Sequence, residues 1–283
     1  MADLEVSARH RYFHTEVGQV HVLEAGKGER AVLLVPGLGA SAGEYGRLIK
    51  RLARHCRVVA IDRPGTGLSD PIGFSGHPRH PWVRILATIA DQLGLERFIL
   101  VGHSVGGLAA GAFATAHPER VQQLVLLSPF GLERRIPLRW NLLLLPGALD
   151  LLAAADRARR IRMLSRSPGG TGGLGAPLPP PSPMVAYRRG VALRFGPDSE
   201  LALLARLARP LRLHPESLLL PALGLVADRT LVVWGNRDRQ LPLAGARAAL
   251  ELHPELRLTV VEGQGHTLPF AKPGLVAALV ASG

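Results

Sequence analysis

The chain of 283 residues carries one cysteine, Cys56, and three lysines, Lys27, Lys50 and Lys272. One cysteine excludes an intrachain disulfide framework and any cysteine-rich zinc site. His55 adjoins it, but neighbours on a strand point to opposite faces and no third ligand is in view, so Cys56 reads as a buried, inert thiol. No other cluster has metal-ligand spacing, and no Gly-x-Gly-x-x-Gly follows a strand in a dinucleotide-binding context, so neither a metal nor a cofactor is expected. Aromatic residues make up 5% of the chain and charged residues 20%, against a formal net charge of +12. That is not the dense Lys/Arg texture of a protein that coats nucleic acid, and no nucleic-acid partner is expected. The opening Met1-Ala2-Asp3-Leu4-Glu5-Val6 has no basic start and no apolar run, so it does not read as a secretory signal, and a cytoplasmic address is expected. The most lipophilic stretch, Trp140 to Ala155, is broken by Pro146, Gly147 and Asp150. It is also shorter than the roughly 20 residues that span a bilayer.

What is present is a large apolar fraction, 47%, enough for a substantial core. Two alternating runs, Tyr12 to Val17 and Gln19 to Ala25, meet at Gly18 and predict an antiparallel hairpin. Unalternated apolar runs follow at Ala31 to Val35, Val58 to Ile61, Phe98 to Val101, Val121 to Leu127, Leu231 to Trp234 and Leu256 to Val261. Such runs, bounded by Gly, Pro or Asp, suit strands buried on both faces of a parallel sheet. Helical patterns separate them, at Glu44 to His55, Trp82 to Leu93, Val105 to His117, Ala244 to Leu252 and Pro273 to Ala281. The predicted fold is therefore α/β, a mostly parallel central sheet flanked by helices, with ligand chemistry at the carboxyl ends of the strands.

Three of those strand ends carry reactive residues. Phe98 to Val101 runs into Gly102-His103-Ser104-Val105-Gly106-Gly107 and then a helical stretch. Gly-x-Ser-x-Gly at a strand-to-helix junction is a nucleophile elbow, whose glycines permit the sharp turn that lifts the serine hydroxyl out of the sheet. The backbone N–H of Val105, at the new helix's N-terminus, faces a developing oxyanion. Val35-Pro36-Gly37-Leu38-Gly39 after the first buried strand supplies a second donor, the N–H of Leu38. Leu231-Val232-Val233-Trp234-Gly235-Asn236-Arg237-Asp238 places a carboxylate after a strand, and Glu262-Gly263-Gln264-Gly265-His266 places a histidine after the last one. Serine hydroxyls need a base within hydrogen-bond reach, and the base an orienting carboxylate. Ser104 is thus the candidate nucleophile, His266 the general base and Asp238 its orienter. His103 reads as locally bonded and pointing away from the nucleophile, and Glu262 as a helix or loop residue.

Serine, then aspartate, then histidine in chain order, with the Asp62-Arg63-Pro64-Gly65-Thr66-Gly67 turn, resembles the α/β-hydrolase fold serine hydrolases over nearly the whole chain. The resemblance implies a core of residues 1–130 and 216–283 with residues 131–215 inserted as a helical cap. It also implies that the Arg63-Pro64-Gly65 turn, flanked by Asp62 and Asp70, is structural. Pro36 stands where the family more often has histidine. Ser104 departs from the epoxide-hydrolase and dehalogenase branches, which use aspartate at the elbow. Thr267 departs from the carbon–carbon bond hydrolases, which tend to have tryptophan after the histidine. Leu38 departs from the aromatic of perhydrolases, and the elbow lacks the tryptophan of the proline iminopeptidases. Carboxylic-ester hydrolysis of the esterase or lipase kind is the expected activity. Acyl transfer, lactone or carbon–carbon hydrolysis, and a non-hydrolytic accessory protein are the alternatives.

The inserted segment contains a Gly/Pro-rich tract, residues 167–183, that suits a hinge or loop. Its Leu-rich flanks, with Trp140, Met163, Met184 and Phe195, together with Leu38 outside it, suit a cavity for an apolar acyl or alcohol group. Fourteen arginines and five acidic residues fall within 131–215, so the basic charge is regional. Arg157 to Arg166 beside the Leu-rich run makes a cationic amphipathic surface suited to peripheral contact with anionic lipid or to acidic substrates, and equally to a solvated face.

Overall fold

A computed structural model describes residues 8–16, 18–70, 81–132, 151 and 219–282. Eight strands form one sheet in the order β1-β2-β4-β3-β5-β6-β7-β8. They are β1 (Arg9–Thr15), β2 (Gly18–Ala25), β3 (Arg30–Val35), β4 (Cys56–Ile61), β5 (Phe98–His103), β6 (Val121–Leu127), β7 (Thr230–Gly235) and β8 (Arg257–Val261). β1 and β2 form the hairpin and β2 runs antiparallel to β4, while every other pairing is parallel. Among the described residues the assigned α-helices are α1 (Gly46–Leu52), α2 (Pro81–Gln92), α3 (Val105–Ala116), α4 (Leu219–Ala222), α5 (Ala244–Leu252), α6 (Leu268–Ala271) and α7 (Pro273–Ala281).

The alternation of side chains across the pleat explains why the central strands are apolar throughout. Leu33 and Val35 of β3, Val59 and Ile61 of β4, Leu100 of β5 and Leu124 and Leu126 of β6 point to one face, under Ile85, Leu86 and Ile89 of α2 and Ala110, Phe113 and Ala114 of α3. Val32, Leu34, Val58, Ala60, Ile99, Val101, Val125 and Leu127 point to the other, under Leu48, Ile49 and Leu52 of α1 and Val276 and Val280 of α7. These residues of the central strands thus enter one of two helix-covered cores, the arrangement expected where a parallel sheet is covered on both faces.

Two elements differ from the sequence expectation. β8 is only partly buried, because it is the last strand of the sheet and has a neighbour on one side alone. The helix expected over Glu44 to His55 divides into a 3₁₀ turn, Ala42–Tyr45, opened by a Ser41/Glu44 capping box, and α1, after which Ala53 to His55 turn into β4. Cys56 is buried as expected, and burial pushes its thiol above the usual range. The chain leaves β6 through Gly131 and returns at Leu219 and Leu220, whose N–H groups both donate to the Gly131 carbonyl. The segment between therefore starts and ends at one point of the core. Apart from Leu151, residues 133–218 lie outside the described residues, and with them the expected cap, the expected 167–183 loop, the arginine-rich stretch and Trp140, Met163, Met184 and Phe195. Among the described residues no helix is long and apolar enough to cross a membrane.

Candidate active site

The carboxyl ends of β3, β5, β7 and β8 converge on Ser104. This serine links β5 to α3 with φ 54° and ψ −122°, a left-handed conformation that a non-glycine residue adopts only when its surroundings impose it. Its neighbours show what imposes it. A Cβ on Gly102 would stand 2.6 Å from the Gly106 carbonyl, and one on Gly106 would stand 2.2 Å from the Pro36 carbonyl. Only glycine lets strand, helix and the β3 loop come this close, so the elbow is wedged between two backbones.

His266, in the loop after β8, accepts the Ser104 hydroxyl proton at Nε2, 2.9 Å from Oγ, and donates from Nδ1 to Asp238 Oδ2 at 2.8 Å. Asp238 lies after β7 with its carboxylate already oriented, since Oδ1 accepts the N–H groups of Gln240 and Leu241 at 2.8 and 2.9 Å. Burial raises the affinity of Asp238 for a proton, but the hydrogen bonds from His266, Leu241 and Gln240 outweigh it and hold the carboxyl below its ordinary range. The ionised acid fixes the imidazole tautomer whose Nε2 lone pair faces serine. Asn236 joins the two loops, donating to Glu262 and accepting the Gly263 N–H at 2.8 Å, which accounts for Glu262 as a loop residue. Val105 is the first residue of α3, so its N–H has no acceptor within the helix, and Leu38 borders the core one residue beyond Gly37, which abuts the Ser104 side chain. The sequence-predicted Ser104, His266, Asp238, Val105 and Leu38 are therefore brought to one place.

His103 behaves differently from the local role expected of it. Its Nε2 donates to the backbone carbonyl of His266 at 2.9 Å, and its Nδ1 meets the Tyr45 hydroxyl at 2.7 Å. Burial, with the neighbouring His266 adding to it, pushes His103 down to about 3, so the ring is neutral and Nδ1 accepts. Tyr45 in turn accepts the Gly37 N–H at 3.1 Å. A line of hydrogen bonds thus runs from the β3 loop through Tyr45 and His103 to the backbone of the base. Neither Tyr45 nor this reach of His103 is announced by spacing. Asp62 and Asp70 are turn structure as expected: Asp70 Oδ2 accepts the Gln19 N–H at 2.9 Å, and Asp62 is buried among donors from three segments. Among the described residues no group of His, Cys, Asp or Glu could hold a metal.

A sheet covered on both faces, with serine, aspartate and histidine meeting at its carboxyl edge in that chain order, defines an α/β hydrolase. The family model for the alpha/beta hydrolase fold matches residues 30–273, and the chain belongs to that family. It is 30% identical over 271 residues, 87% of this chain and 88% of its relative, to a 2-hydroxy-6-oxononadienedioate/2-hydroxy-6-oxononatrienedioate hydrolase of Klebsiella pneumoniae subsp. pneumoniae. It is 37% identical over 114 residues to abhydrolase domain-containing protein abhd-5.2 of Caenorhabditis elegans, a match spanning 39% of this chain and only 26% of that protein. The crystal structure of a serine hydrolase from Cycloclasticus zankles, a polyaromatic hydrocarbon-degrading bacterium, superposes with a TM-score of 0.72 at 20% identity, covering 98% of this chain and 99% of that one. At that identity the likeness is one of fold.

Proposed function

We propose that this hydrolase cleaves carboxylic esters through an acyl-enzyme on Ser104, with His266 as general base and then acid and Asp238 as its orienting carboxylate. The observation that carries the reading is the unbroken line Asp238–His266–Ser104, with separations of 2.8 and 2.9 Å, at a serine held in a strained elbow. As Ser104 Oγ bonds to the carbonyl carbon, its proton passes to His266 Nε2 and the π electrons move to oxygen. The N–H groups of Leu38 and Val105 take up that charge. Collapse expels the alcohol, which leaves with the proton from His266. Water, deprotonated by His266, then releases the acid. Small apolar esters are the substrate class, and no cofactor enters any step.

A second reading, carbon–carbon bond hydrolysis by the same residues, is favoured by the named activity of the Klebsiella pneumoniae relative. Thr267, where such hydrolases tend to carry tryptophan, weighs against it.

Two measurements test these readings. A fluorophosphonate is expected to label Ser104, with Ser104→Ala unlabelled and inactive by at least about 10⁴-fold while folded. An unlabelled, folded wild type ends the serine-hydrolase proposal. Turnover of p-nitrophenyl esters of rising chain length, set against a 2-hydroxy-6-oxo-dienoate acid, then separates the readings by the ratio of kcat/KM.

A further inference from the structure

Arg63 is buried at 1% exposure, yet it belongs to no step above. Its Nη2 donates to the carbonyl of Gly37, and its guanidinium lies 5.8 Å over the Trp82 ring. The acceptor's identity matters. The Gly37 carbonyl and the Leu38 N–H belong to one peptide unit, and among the described residues no peptide bond is cis. In a trans peptide the N–H points opposite to the C=O. A cation that fastens the Gly37 oxygen therefore dictates where the Leu38 hydrogen points, and by drawing electron density toward that oxygen it makes the hydrogen a stronger donor. The same oxygen is held a second time, by the Ala40 N–H at 3.1 Å, and the preceding peptide is anchored through the Gly37 N–H, which donates to Tyr45 at 3.1 Å.

We infer that Arg63 is a positioning residue for the oxyanion hole, acting through the Gly37–Leu38 peptide to aim and polarise the Leu38 N–H. The inference rests on the proposed reaction at Ser104, because it needs an oxyanion to form there. It also gives the charge a reason to be arginine: the planar fork is weakly hydrated, always charged and suited to a buried carbonyl, whereas an ammonium is costlier to bury.

The test compares Arg63→Met and Arg63→Lys with wild type on a p-nitrophenyl ester and on a trifluoromethyl ketone, which binds as the Ser104 hemiketal and so reports the oxyanion site. Removing one oxyanion donor outright typically costs about 10²–10³ in kcat. Misaiming and depolarising one is expected to cost about 10–100-fold in Arg63→Met, with KM within about threefold and the ketone's inhibition constant raised in proportion to the lost kcat. Arg63→Lys, which keeps charge and much of the volume, is expected to lose about 3–10-fold with the same split, and it carries the test if the methionine variant does not fold. A folded variant of either kind with wild-type kcat and wild-type ketone affinity overturns the assignment. So does a loss of kcat with unchanged ketone affinity, the mark of a merely structural role. Failure of wild type to react with fluorophosphonate strikes instead at the reaction itself, and the two failures are told apart by that control.

Discussion

Two histidines of this molecule lean on buried aspartates in the same way. His266 donates from Nδ1 to Asp238 Oδ2 at 2.8 Å, and His21 of β2 faces Asp62 Oδ2 with Nδ1 at 2.7 Å. Both carboxylates are also tied to backbone, Asp238 by Gln240 and Leu241, Asp62 by Ala42 at 2.6 Å and Leu68 at 2.9 Å. The pairs diverge at the far ring nitrogen. His266 Nε2 meets the hydroxyl of a strained elbow, whereas His21 Nε2 meets Nδ1 of His10, at 2.8 Å, on the edge strand β1. An aspartate–histidine pair is thus only a device for orienting an imidazole. Whether it does chemistry depends on what stands at Nε2 and on the donors around it, and among the described residues the partner at His21 Nε2 is another imidazole, not a hydroxyl.

The sharpest way to break that contrast is to neutralise each acid in turn. Asp238→Asn presents an amide to Nδ1, favours the wrong tautomer and is expected to lower kcat by about 10⁴-fold with the melting temperature little changed. Asp62→Asn removes the acceptor charge from a buried cluster of donors and is expected to cost about 3 kcal/mol of stability, while the protein that remains folded keeps kcat within a few-fold. Thermal melts and steady-state kinetics on both variants decide it, and a folded Asp62→Asn as inactive as Asp238→Asn would erase the distinction.

A smaller effect separates the neutral histidine of the site from its charged alternatives. The folded-state value of His103 is about 3, well below the ~6.5 of a free imidazole. Between those values the unfolded chain binds more protons than the native one, so stability rises with pH across this window and is lost as pH falls toward 3. Asp238, held below its ordinary value, acts in the same direction: its contribution is present above the unfolded carboxylate range and disappears as pH falls through the folded one. His103 alone is expected to cost roughly 2–3 kcal/mol at pH 4.5 relative to neutral pH. Denaturant melts at the two pH values measure this, and in His103→Gln the difference between them is expected to shrink by that amount.

The mildest perturbation is Tyr45→Phe, which keeps the ring against Phe270 and deletes the hydroxyl between Gly37 and His103. A loss of about 1 kcal/mol is expected. If the line of hydrogen bonds aligns the two loops, kcat falls about threefold at unchanged KM, and an unaltered kcat would confine Tyr45 to stability.

The residues of the site differ in how far they could be read beforehand. Ser104 was legible because an elbow needs glycines at fixed offsets on either side of it, a local steric demand that leaves its mark in six consecutive residues. Asp238 and His266 were legible because each follows an apolar run long enough to read as a strand, and a parallel sheet delivers such loops to one edge. Tyr45 and His103 were not, since their bond joins residues 58 positions apart and the bond from His103 to His266 spans 163. Nor was His21, whose alternating strand says which face it takes but not which acid waits there.

By itself, then, the sequence determined the α/β alternation, the elbow and the chain order of the triad, because these depend on periodicity and on backbone sterics that act within a few residues. The tertiary structure alone decided that a second aspartate–histidine pair, Asp62–His21, forms and faces His10 rather than a hydroxyl. It also decided that His103 bridges to the base loop and that a buried arginine holds the Gly37–Leu38 peptide. Those outcomes rest on hydrogen bonds between segments distant in the chain, whose donors and acceptors meet only when the sheet has set the loops side by side.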